Sequence, residues 1–63
     1  MNNRIRFLIN ALRDNTAYID YITYDTDLTP ETKNDTIIKI TNIAINQALE
    51  LQHLIKQENE TFD

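Results

Sequence analysis

Apolar residues recur along this chain at intervals of three and four, in two stretches separated by a short polar break, which predicts two α-helices. In the first stretch Ile5, Leu8, Leu12, Asn15, Ile19 and Ile22 alternate the two spacings, the pattern of a seam between packed helices. Asn15 interrupts that seam. A polar residue at such a position often fixes register or oligomer order at some cost in stability, and a solvent-reaching Asn is the plain alternative. In the second stretch Ile37, Ile40, Ala44, Leu51 and Ile55 form one seam. Ile38, Ile45, Ala48 and Leu49 widen it on one flank, and Ile43 and Leu54 on the other. Projected at about 100° per residue, this arc covers well over half of the helix, more than one partner helix can shield.

The break is Asp25-Thr26-Asp27-Leu28-Thr29-Pro30. Thr29 suits an N-cap, Pro30 fits the first helical position, and Glu31 with Asp35 favours the positive end of a helix dipole. The expected layout is one domain: a helix over about 3–24, a hinge over 25–29, a helix over 30–59 and a polar tail over 60–63. The second helix would be roughly 45 Å long at 1.5 Å per residue. A β reading competes, because Tyr18–Tyr24 and Thr36–Ile45 are rich in β-branched and aromatic residues. The absence of Gly and of tight-turn dipeptides, with the longer periodicity, favours helices.

Charge placement orients the pair. Arg4 and Arg6 lie at the wrong end of the first helix for its own dipole, and Asp20 and Asp25 at the other wrong end. An antiparallel hairpin corrects both, bringing the arginines toward Glu50 and Asp20 toward Lys33. The longer second helix would then leave Leu54 and Ile55 beyond the cover of their own chain. The expected fold is therefore all-α, an antiparallel two-helix hairpin that dimerises into a four-helix bundle. Leu12, Asn15, Ile19, Ile45, Leu49, Leu54 and Ile55 are the candidate self-association residues.

Size strengthens that expectation. A 63-residue chain rarely buries enough apolar surface alone, and with no Cys it has neither disulfide nor thiolate metal site to help. The net charge of -4 disfavours an electrostatic grip on nucleic acid or anionic lipid. The apolar run from Phe7 to Leu12 is broken by Asn10 and followed by Arg13, unlike the core of a signal peptide, and no segment has the apolar length of a membrane span. A cytoplasmic location is expected. Ile, Asn and Thr are abundant where better helix formers would serve, and their codons are A/T-rich, which points to a low-GC bacterium or one of its phages or plasmids.

Candidate chemistry is sparse. Glu50 and His53 have the Glu-x-x-His spacing of di-metal bundles, but the first helix carries no Glu to complete such a site, so a solvated pair is the reading. Asp25 and Asp27 lack the further ligands and the Gly of a calcium loop and read as turn and capping residues. With no Cys, one His and no Gly-rich loop, no cofactor and no catalytic residue is expected.

Two interaction surfaces remain. Phe7, Tyr18 and Tyr21 fall along one flank beside the seam, with Tyr24 turned toward the hinge, and Asp14 and Asp20 nearby suit a basic partner. Padding of the bundle edge is the alternative. This flank (Phe7, Asp14, Tyr18, Tyr21, Tyr24) makes a small non-enzymatic regulator or inhibitor that binds another protein the favoured reading. A dimerising hairpin of this length is also similar in size and shape to the Rop-type plasmid copy-number regulators, which bind RNA. No motif is shared, and the resemblance implies only an alternative: a homodimer contacting RNA through Arg4, Arg6 and Arg13. A structural assembly subunit is the third reading.

Overall fold

The computed structural model describes residues 2–62, with side chains described over 2–59. It contains two α-helices, α1 (Asn3–Thr23) and α2 (Pro30–Phe62), packed against each other as a hairpin. α2 extends to Phe62, beyond the 59 expected. The polar tail expected over 60–63 falls on side chains outside the described set, and Asp63 lies outside it altogether. The β-rich segments Tyr18–Tyr24 and Thr36–Ile45 are helical apart from the turn residue Tyr24, so tertiary context overrides their strand propensity.

Each helix starts on a side-chain cap. Asn2 holds extended backbone (φ -61°, ψ 130°) and its Oδ1 accepts from the Arg4 N–H at 2.7 Å. Thr29 Oγ1 accepts from the Thr32 N–H at 3.2 Å, and Pro30 fills the first position of α2, where no N–H is needed. α1 ends without a left-handed residue. Its terminal carbonyls are met by the Asp25 N–H, which donates to Ile22 O at 3.2 Å, and by Lys33 Nζ, which donates to Thr23 O at 3.4 Å. Asp25 Oδ1 then accepts from the N–H groups of Asp27 and Leu28, an Asx turn that aims the chain back along α1.

The helices meet along two seams of alternating three and four spacing. In α1 the inward residues are Ile5, Leu8, Leu12, Asn15, Ile19 and Ile22, as the sequence predicts. In α2 they are Lys33, Ile37, Ile40, Ala44, Gln47, Leu51, Leu54 and Glu58. Ile55, expected in that seam, is exposed instead, because the alternation continues from Leu51 to Leu54. Leu54 is half-buried rather than overhanging. The start of α1 reaches as far as Glu58, whose Oε1 accepts from the Asn2 N–H at 3.3 Å, so the hairpin covers α2 further along than expected.

Among the described residues only Ile5, Leu8 and Ile22 are fully buried, and at about 1.5–3 kcal/mol each they make a thin core. The molecule is a rod of 51 × 15 × 12 Å. Its radius of gyration is 15.0 Å, against about 10.6 Å for a compact chain of this length. Its accessible surface is 5075 Å², against about 4,200 Å² for a compact chain of this mass.

Candidate functional site

Polar contacts at both ends and in mid-seam fix how the helices face each other. At the open end Arg4 Nε donates to Glu50 Oε2 at 2.6 Å and Arg4 Nη2 to Glu50 Oε1 at 2.9 Å, a two-pronged ion pair. In mid-seam Asn15 Nδ2 donates to Gln47 Oε1 at 2.8 Å. At the hinge Lys33 meets the carbonyl end of α1. Of the two arginines expected near Glu50, Arg4 reaches it, whereas Arg6 projects from the back of α1. The expected pairing of Asp20 with Lys33 is replaced by the Thr23 carbonyl, because Asp20 projects about 110° away from the seam while Lys33 points into it.

The Arg4–Glu50 pair also determines which flanks share a side. With about 100° per residue, it places Phe7, Ala11 and Tyr18 of α1 on the same side as Lys39, Ile43 and Glu50 of α2. We call this the aromatic side. Ile9, Thr16 and Asp20 of α1 lie on the opposite, aliphatic side, with Thr41, Ala48, Gln52 and Ile55 of α2. Ile38, Ile45 and Leu49 continue that side around the outer face of α2.

The aromatic side is built around two ring contacts. The Arg4 guanidinium carbon lies 5.0 Å from the centroid of Phe7, so the cation is shared between that ring and the Glu50 carboxylate. Tyr18 and Tyr21 stack with centroids 6.3 Å apart and planes at 19°. Both are exposed, and Tyr24 at the end of α1 is 78% exposed. Asp14 is exposed one turn from Tyr18. The hydrogen bond from Arg4 holds the Glu50 carboxyl below its ordinary range against a smaller opposing effect of burial, and the charge of Arg4 adds a lesser push in the same direction as the bond; the same bond raises Arg4.

The aliphatic side is exposed at Ile9, Ile38, Ile45, Leu49 and Ile55. Of the expected self-association residues, Leu12, Asn15, Ile19 and Leu54 are half-buried in the hairpin's own seam, while Ile45, Leu49 and Ile55 face outward. Ile9 was not singled out by the sequence, because it lies about 90° off the α1 seam; only its flank position, shared with Thr16, marks it.

The three arginines do not form a patch. Arg4 is engaged by Glu50 and Phe7 on the aromatic side, whereas Arg6 and Arg13 project from the back of α1, where Arg13 Nη2 donates to Asn10 Oδ1 at 3.0 Å. Among the described residues no three His, Asp or Glu side chains gather as a metal site, and His53 is exposed. No described helix is long and apolar enough to cross a membrane. In comparisons with known proteins, no protein family, no curated protein and no solved structure matches this chain.

Proposed function

We propose that this chain is a non-enzymatic interaction protein: a hairpin that self-associates into a four-helix bundle and engages another protein through its aromatic side. One observation carries the reading. Among the described residues ten large apolar side chains are exposed on a hairpin with three buried ones, and apart from Tyr24, which lies with Arg6 at the back of α1, they divide between two opposite sides. The accessible surface exceeds that of a compact chain by about 900 Å², close to the roughly 800 Å² that each partner contributes to a standard interface. Such a chain gains more by covering its surface with another molecule than by closing on itself.

The aromatic side suits a protein partner. Stacked Tyr18 and Tyr21 offer large, rigid contact area, their hydroxyls have no hydrogen-bond partner among the described residues, and Asp14 adds a negative rim for a basic surface. The RNA alternative has no comparable support, since Arg4 is already occupied and stands apart from Arg6 and Arg13.

The test is capture of binding proteins from the source cells by the native chain and by the double variant Tyr18→Ala, Tyr21→Ala, with circular dichroism on both. The expected result is a specific partner lost by a variant of unchanged helicity. Equal capture by the two would remove the aromatic side as the binding surface. Ribonuclease-sensitive capture that weakens steeply with salt would favour RNA instead.

A further inference from the structure

The geometry points to the aliphatic side as the seat of a second copy of this chain, with the aromatic side of each hairpin left facing outward. This inference rests on the self-association reading and adds to it the face that is used. Charge is the first argument. Out to about 130° from the seam, far enough to take in Ile45, the aliphatic side carries two charged residues, Asp20 and Arg13, both at its rim. The same sector of the aromatic side carries four, Arg4, Asp14, Lys39 and Glu50. Interface cores are depleted of charge because ions lose their hydration on burial, so the second copy is better accommodated on the aliphatic side.

Hydroxyl bonding is an independent argument. The polar side chains on the aliphatic side include three threonines, and each already donates within its own helix. Thr16 Oγ1 donates to Arg13 O at 2.9 Å, Thr23 Oγ1 to Ile19 O at 2.8 Å and Thr41 Oγ1 to Ile37 O at 2.7 Å. Covering them with an apolar surface strands no donor. The tyrosine hydroxyls of the aromatic side would need partners that only a polar surface supplies. The excess of about 900 Å² per chain is also enough for a standard interface with one second copy. Two hairpins joined by their aliphatic sides display aromatic sides on opposite outer faces, so the assembly is bivalent toward its partner.

Thiol protection tests the face directly, because the chain has no Cys and a single introduced one reports only its own site. Separate variants Thr41→Cys and Ala48→Cys probe the aliphatic side, and Asp14→Cys and Tyr21→Cys the opposite one; all four positions are exposed in the hairpin. Alkylation rates are measured across a dilution series, with mass by light scattering and helicity by circular dichroism on the same samples. The expected result is dimer mass with Thr41→Cys and Ala48→Cys slowed several-fold at high concentration and released on dilution, while Asp14→Cys and Tyr21→Cys react equally fast throughout. Any other protection pattern in a protein of dimer mass overturns the face assigned here and leaves self-association standing. A helical monomer at every concentration overturns both. A variant that loses helicity is replaced by Gln52→Cys on the aliphatic side or Ala11→Cys on the aromatic side, read in the same way.

Discussion

Asn15 donates to Gln47 across the middle of the helix seam, so the one polar position in the α1 pattern meets a polar position in α2. An amide pair in an otherwise apolar seam fixes register, because slipping the helices by one heptad would leave both groups facing aliphatic side chains. Removing one partner alone is therefore costly. Asn15→Leu or Gln47→Leu should destabilise the hairpin by about 1 kcal/mol, as the remaining amide is half-buried without its bond. The double replacement should be neutral or stabilising, since both polar groups leave together. Urea unfolding of the four proteins as a double-mutant cycle checks this; additive losses would mean that the bond is energetically idle.

Leu8, with no accessible surface, is the best-buried side chain of the seam. Leu8→Ala should cost about 2–5 kcal/mol, a large share of what a small chain has available. If the chain self-associates as proposed, the variant's melting temperature should rise with protein concentration more steeply than that of the native chain. Thermal melts at several concentrations decide it. A concentration-independent melt for both proteins would remove self-association from the stability of this fold.

Much of this packing was legible in the sequence, and the exceptions have physical causes. The α1 seam could be read residue by residue because its spacing and its hydrophobicity agree. In α2 they compete: Ile55 is the more conspicuous apolar residue, but strict alternation from Ile37, Ile40 and Ala44 leads to Gln47, Leu51 and Leu54, which are the inward positions. Spacing prevails because packing is geometric. Charge reasoning found Arg4 with Glu50, two long side chains near the interface, and missed that Asp20 stands too far around α1 to reach Lys33. The candidate surfaces were harder to read, since an interaction face has no fixed chemical spacing. The tyrosines could be grouped from sequence, but the division into aromatic and aliphatic sides needs the handedness of the hairpin, which the Arg4–Glu50 contact supplies.

That same ion pair predicts an acid limb in stability. The Arg4 hydrogen bond lowers the Glu50 carboxyl in the folded state, so the folded value lies below the unfolded one of about 4.3. The stabilisation is fully present above the unfolded value and is lost as pH falls through the folded one. Between about pH 6 and 3 the native chain should lose melting temperature by more than Glu50→Gln does, and salt should shrink the difference, because the pair is exposed. Thermal melts over that range, at low and high salt, provide the comparison. Identical acid limbs would assign the loss to other carboxylates.

In the proposed dimer, charge along the rod sets the direction in which the two copies join. Residues 14–47, the hinge-side half of the hairpin as the Asn15–Gln47 bond divides it, hold six acidic side chains and two lysines, while the rest of the chain holds four basic and four acidic ones. A parallel dimer places two acidic hinges together; an antiparallel one sets each hinge beside the arginine-bearing end of its neighbour, which is favoured. A spin label on Thr26→Cys, in the exposed hinge, measures the difference. The antiparallel arrangement separates the two labels by nearly the 51 Å length of the hairpin. The parallel arrangement brings them within about 20 Å, two interhelical spacings. A long distance is expected, and high salt should weaken the preference without changing the distance. A short distance would show that packing of the aliphatic sides outweighs repulsion between the acidic ends.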